Sequence, residues 1–151
     1  MIDNKKSEFL KQLIKFGLVG IVNTLLTLTV FFILTKIFGM APDLANPIGF
    51  VFGFTNSFVM NKIWTFKSKG DVRREGFWFI IVALAAYGIQ FVIFKAIDVL
   101  FSLPLFNFLF TIPVLDKLLN KSHDWAMIIS MGFYTIIGFF GNRFITFMNK
   151  K

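Results

Sequence analysis

The chain has no cysteine, one histidine and four prolines in 151 residues. Without cysteine there are no disulfides and no thiolate metal sites. The lone His123 has no serine or acidic residue at a spacing that suggests a nucleophile–base pair. The chain also lacks the GxxxxGK[ST] loop that cradles nucleotide phosphates, which argues against ATP hydrolysis of the usual kind. No Asp, Glu, Lys or Arg stands near the centre of a long apolar run; Lys95 and Asp98 lie towards the end of the third. Proton-coupled carriers and exporters of cationic drugs usually need such a group. These absences point to a protein that is not an enzyme, with no cofactor, no catalytic residue and no metal ligand.

What is present is apolar. Hydrophobic residues make up 56% of the chain, 23 residues are Phe, and the mean hydropathy is +0.74. A soluble domain of this size cannot hide so much apolar surface. A membrane span needs about 20 mostly apolar residues, and four windows of that kind occur, at 16–37, 44–60, 77–97 and 125–141. The expected fold class is an all-α integral membrane protein, one domain over 1–151 with four transmembrane helices. The first run follows four lysines as a signal peptide would, but it is too long for one and no small-residue cleavage site follows, so it reads as a retained span.

Basic residues divide unevenly between the two faces these spans define. Lys5, Lys6, Lys11 and Lys15 precede the first span. Lys62, Lys67, Lys69, Arg73 and Arg74 follow the second, and Arg143, Lys150 and Lys151 follow the fourth. The opposite face has only Lys36, Lys95, Lys117 and Lys121. The positive-inside rule then puts both termini in the cytoplasm. The net charge of +8 lies in short loops at one membrane face. That makes anionic phospholipid a simpler partner than nucleic acid, at about 1 kcal/mol per basic residue near the surface; orientation alone is the other reading of these charges.

Residues 1–15 carry Phe9, Leu10, Leu13 and Ile14 on one helical face and Lys11 and Lys15 on another, which suits an interfacial segment ahead of the first span. The Gly39–Asp43 connection is short enough to make spans one and two an antiparallel hairpin. Residues 67–76 form a charged cytoplasmic link. Residues 102–124 combine short apolar pieces with Pro104 and Pro113, each piece too short to span, and suggest an interfacial or re-entrant element on the outer face.

The spans do contain neutral polar residues. Asn46, Gly49, Gly53, Asn56 and Met60 recur at spacings of 3 and 4, with Ser57 and Asn61 beside them. Gly49-x-x-x-Gly53 would let another helix approach closely. Asn23, Tyr87, Gln90, Tyr134 and Asn142 occupy the other spans. Each residue alone is accounted for by an interhelical hydrogen bond, about 0.6 kcal/mol per contact. As a set they suggest a polar cavity, since an amide facing lipid costs insertion free energy.

The strongest pattern is a repeat. Asn61-Lys62-Ile63-Trp64-Thr65-Phe66 returns eighty-one residues later as Asn142-Arg143-Phe144-Ile145-Thr146-Phe147, and Phe58 matches Phe139. An aromatic belt with basic flanks explains the residue types but not their shared order. Two repeated two-helix hairpins of the same orientation would be related by an axis along the membrane normal. Asn61-Lys62 and Asn142-Arg143 could then meet on one anion, the guanidinium offering a fork to phosphate oxygens and the ammonium a point charge.

Phe16-Gly17-Leu18-Val19-Gly20-Ile21-Val22-Asn23-Thr24, Ala45-Asn46, and Asn56-Ser57-Phe58 running into the first motif copy resemble the GtrA-like family. So do Asn142-Arg143 and Thr146-Phe147 at the end of the chain. The resemblance covers nearly the whole chain. It implies a four-span protein of the bacterial cytoplasmic membrane, encoded with glycosyltransferases for surface polysaccharide and implicated in moving polyprenyl-phosphate-linked sugars. The matching positions Asn23, Asn46, Asn56, Asn61, Lys62, Trp64, Asn142 and Arg143 would then carry the lipid-sugar site. The expected function is a flippase, or a flippase component, for an undecaprenyl-phosphate sugar used in polysaccharide or teichoic acid glycosylation. Lys62 and Arg143, aided by Asn61 and Asn142, would bind the phosphate; Asn23, Asn46, Asn56, Trp64 and Gln90 would meet sugar or lipid. The alternative is a non-transporting anchor or partner of a membrane glycosyltransferase. A homo-oligomer is compatible with either reading, because four helices enclose little volume.

Overall fold

A computed structural model describes residues 2–101, 103 and 122–148. Among these residues there are no strands. Four α-helices run in the order α1 (Ile2–Phe32), α2 (Pro42–Met60), α3 (Val72–Phe101) and α4 (Ser122–Gly141). Three of them close in a wider π turn: Ile33–Ile37 after α1, Asn61–Thr65 after α2 and Asn142–Thr146 after α4. The outer element expected over 102–124 falls largely outside the described residues.

The segments Lys5–Ile37, Val72–Phe101 and Trp125–Thr146 are long and apolar enough to cross a membrane. The helix over the second window is shorter, at 19 residues, and more polar, with Asp43, Asn46 and Asn56 in it. Residues 5–15 are not a separate interfacial helix but the opening turns of α1, which runs unbroken through Lys15 into the apolar stretch. Likewise α3 begins at Val72, ahead of the apolar window at 77. Hydropathy marks where a helix meets hydrocarbon, whereas the backbone ladder continues into the polar flanks.

Sides and interior are inverted relative to a soluble protein. Leu10, Ile14, Leu18, Ile21 and Leu25 of α1 are exposed, as are Leu84, Val92 and Val99 of α3. Only 6% of the apolar window of α1 is buried. The buried set includes Asn61, Thr65, Ser130, Asn142 and Thr146 alongside small residues such as Ala45, Ala86 and Ala126. Phe66, Phe79, Phe139 and Phe147 are buried with them, and large apolar side chains outside with paired polar groups inside are what a hydrocarbon solvent favours. Thr24 and Thr29, on the exposed side, donate their hydroxyls to the carbonyls of Gly20 and Leu25 one turn back, so neither leaves a polar group bare in lipid.

The chain folds as two compact units, residues 1–76 with 147–151, and residues 77–146. In the first, α1 and α2 pack closely. A Cβ on Gly49 would lie 2.8 Å from the backbone oxygen of Thr27, and one on Gly53 would meet the Thr27 side chain and lie 3.1 Å from the Asn23 carbonyl. Residues ascending α2 thus face residues descending α1, and the pair is antiparallel, as the short connection requires, with the Gly-x-x-x-Gly spacing admitting the close approach. Gly39 makes that connection with φ +64, a conformation glycine adopts at little cost. Pro42 opens α2 at a position where a missing N–H costs nothing.

In the second unit α3 and α4 also run antiparallel. Gly141 lies against Val82, where a Cβ would come within 2.6 Å of the valine side chain. Further along, the Gln90 amide donates to the Ser130 hydroxyl over 3.5 Å. Phe79, Val82 and Ala86 form the buried stripe of α3, and Ala126, Ser130 and Phe139 that of α4.

Candidate functional site

The sequence repeat is a structural repeat. In both copies an α-helix gives way to a five-residue π turn that starts at the Asn and ends at the Thr. Asn and Thr are buried in each copy, with exposures of 1% and 2% for Asn61 and Thr65, and 4% and 3% for Asn142 and Thr146. The Phe that closes each copy is buried too, while the residues between, Ile63 and Trp64 or Phe144 and Ile145, face outward. The basic residue is half-buried in both. Spacing alone marked the repeat; it did not reveal the π winding, a form that is rare and concentrates at functional sites.

The winding leaves polar atoms without partners. Asn61 Oδ1, Thr65 Oγ1, Asn142 Oδ1 and Thr146 Oγ1 are buried and make no hydrogen bond. Each Asn amide donates one N–H, Asn142 to the Gly138 carbonyl at 2.8 Å and Asn61 to the Ser57 hydroxyl at 3.4 Å, while its oxygen has no partner. A buried unpaired acceptor costs about 1–3 kcal/mol. The same unpaired acceptors at equivalent positions of both copies make the motif the candidate site.

Around the first copy, Lys62 is held by two acceptors. Its ammonium forms an ion pair with Glu75 and donates to the Gly70 carbonyl at 2.7 Å. The other oxygen of Glu75 accepts the Ser68 hydroxyl. The Glu75 side chain is 4% exposed and that of Lys62 14%. Asp71 caps α3, its Oδ1 accepting the Arg74 N–H at 2.8 Å, and this sets Glu75 in the first turn, where the helix dipole favours a carboxylate. Counting charges along the loop had placed Glu75 among solvated cytoplasmic residues; only its return onto Lys62, thirteen positions back, gives it a role.

Trp64 lies beside Lys15, whose ammonium sits 5.1 Å from the ring centroid and 3.5 Å from the Trp64 carbonyl oxygen. Phe66 packs on Phe16 at 6.2 Å and on Phe147 at 5.0 Å, and Phe147 also stacks on Phe58. The closing Phe of each motif copy therefore sits in one aromatic cluster of the first unit.

Asn23 and Asn56 are brought together: the Asn56 amide donates to Asn23 Oδ1 at 2.7 Å. Asn46 is exposed on α2 and is not part of that pair. Gln90 is half-buried and bonded to Ser130 in the second unit. Arg143, also in the second unit, lies 5.8 Å from the Phe144 ring centroid. Among the described residues no group of three or more His, Asp or Glu side chains converges as a metal site would require.

Comparison with known proteins gives one family and one relative. The chain matches the domain described as "GtrA/DPMS, transmembrane domain" over residues 15–147. It is 38% identical over 89 residues to an uncharacterized membrane protein, YngA, of Bacillus subtilis strain 168; the match covers 57% of this chain and 58% of that protein. No solved structure matches.

Proposed function

From a chain that belongs to the GtrA/DPMS transmembrane-domain family, we propose a flippase, or a flippase component, for an undecaprenyl-phosphate-linked sugar. The bilayer in question is the bacterial cytoplasmic membrane. The chain crosses it four times as two hairpins, with both termini inside.

The observation that carries the reading is the doubled motif, a half-buried cation next to buried acceptor oxygens that have no partner. A phosphorylated sugar is complementary to that pair of features. Its phosphate takes a cation and its hydroxyls donate to lone acceptors. Lys62 with the Asn61 amide, and Arg143 with the Asn142 amide, each serve the phosphate at their own copy of the motif, and Asn23, Asn46, Asn56, Trp64 and Gln90 contact sugar and lipid on the way across. The isoprenoid tail stays in hydrocarbon against the apolar flanks. No charged residue near the centre of a span offers a route for coupling to protons. Transport therefore runs downhill, drawn by consumption of the sugar outside, and requires comparable affinity in the two end states.

The test uses purified protein in liposomes with a labelled short-chain polyprenyl-phosphate sugar. Translocation should exceed that of empty vesicles and fall at least tenfold in Arg143→Gln. Rates equal to empty vesicles for the wild-type protein would refute autonomous transport and favour the anchor reading, in which the chain holds a membrane glycosyltransferase in place and co-purifies with it.

A further inference from the structure

We propose that Glu75 is a built-in anion plug on the Lys62 site, which an incoming phosphate must displace before it can bind. The inference rests on Lys62 being a phosphate-binding cation, as read above.

Four residues of the first unit make the plug. Glu75 presents one carboxylate oxygen to the Lys62 ammonium and the other to the Ser68 hydroxyl. The Gly70 carbonyl accepts from the same ammonium at 2.7 Å, and the Gly70 N–H donates to Ser68 Oγ at 3.2 Å. Loop 67–71 thus folds over the pair and satisfies both charges. Gly70 is required by this closure in a specific way: a Cβ there would collide with the Glu75 carboxylate, coming within 2.9 Å of its carbon.

A structural ion pair would account for the same contacts, but two features favour a displaceable one. Lys62 has three N–H donors and uses two of them. Its side chain also keeps 14% exposure, whereas that of Glu75 is nearly sealed. The remaining donor offers a phosphate oxygen a first contact before Glu75 leaves, so exchange need not pass through a bare buried ammonium, which would be strongly unfavourable. A carboxylate and the phosphodiester of a lipid-linked sugar present the same charge and two free oxygens each, so the headgroup displaces Glu75 through its additional contacts, whereas a phosphomonoester also brings more charge. With the plug in place, weak or adventitious anions are excluded and a headgroup with additional contacts is selected.

The experiment measures binding of a short-chain polyprenyl monophosphate to the full chain in detergent micelles, with thermal unfolding as a check on folding. Glu75→Gln removes the competing charge while keeping the shape. Gly70→Ala leaves both charges and dislodges the carboxylate sterically, so it carries the test if Glu75→Gln does not fold. Both should bind the probe at least tenfold more tightly than wild type. Glu75→Asp should stay near wild type, and Lys62→Gln combined with Glu75→Gln should lose the gain. Release of the probe by millimolar inorganic phosphate would show that the phosphate group alone is recognised; resistance to it would show that the lipid is read as well. Folded Glu75→Gln and Gly70→Ala proteins that bind no more tightly than wild type would overturn the plug while leaving the lipid-sugar reading intact. If none of the proteins binds the lipid probe but the two variants gain affinity for inorganic phosphate, the plug stands and the lipid-sugar reading falls.

Discussion

Asn56 of α2 donates its side-chain amide to the side-chain oxygen of Asn23 in α1 at 2.7 Å, between two helices that expose many large apolar side chains. The bond pairs one donor of Asn56 with the acceptor oxygen of Asn23 inside the helix contact. The bond also sits one turn from Gly53, which packs against Thr27 and the Asn23 carbonyl. Small residues admit the approach and the amide pair fixes its register.

Replacing one partner should therefore cost more than replacing both. Asn23→Leu leaves the Asn56 amide without its acceptor and should destabilise the α1–α2 pair by about 0.6–1.7 kcal/mol, the range found for interhelical hydrogen bonds in membranes. Asn23→Leu with Asn56→Leu should recover part of that loss. Denaturation in mixed micelles would read this; a double variant as unstable as the sum of the singles would argue against a direct bond.

The two glycines of α2 should respond differently to alanine. At Gly49 the new methyl meets a backbone oxygen, Thr27 O, and at Gly53 it meets chiefly the Thr27 side chain. Both variants should lose about 1–3 kcal/mol through overpacking. Thr27→Ala should rescue Gly53→Ala but not Gly49→Ala, as measured by unfolding in detergent. Equal rescue of both would mean that the helices approach differently.

Thr65 and Thr146 offer a trade between stability and function. Each hydroxyl is buried with no hydrogen-bond partner. Thr65→Val and Thr146→Val keep the shape and remove that liability, so each should be neutral or stabilising by about 1 kcal/mol. If the oxygens meet substrate, both variants should transport polyprenyl-phosphate sugar several-fold more slowly despite their stability. Unchanged transport with raised stability would make these oxygens structural residue and nothing more.

Because the chain has no native cysteine, its topology can be read with single introduced thiols. Lys69→Cys should react with an impermeant maleimide only from the cytoplasmic side, and Met40→Cys only from the outside. That pattern is the one the positive-inside rule predicts from the uneven distribution of Lys and Arg; labelling of both positions from one side would break the hairpin.

Several elements were legible in the sequence because they depend on local composition and period. Hydrocarbon thickness sets a minimum apolar length, so the windows at 16–37, 77–97 and 125–141 identified three long helices. The α2 window gave a helix as well, shorter and more polar. Gly49 and Gly53 announced the close contact with α1 through their four-residue spacing, since one face of a helix repeats at that interval. The Asn-x-x-x-Thr-Phe repeat was visible as an order of letters, and both copies adopt the same backbone.

Tertiary structure decided what those residues can do. Nothing local distinguishes a π turn from another turn of α-helix, yet the orphaned oxygens of Asn61, Thr65, Asn142 and Thr146 lie in such turns. Nor can loop composition tell a solvated carboxylate from one folded back on a lysine. The Lys62–Glu75 pair exists because Asp71 starts α3 where it does and because Gly70 leaves room for the carboxylate to cross. Hydropathy and charge, being sums over neighbours in sequence, placed the motif at the membrane boundary. Partnership and burial depend on contacts made when the loop closes, and so only the folded chain shows a lysine already holding an anion of its own.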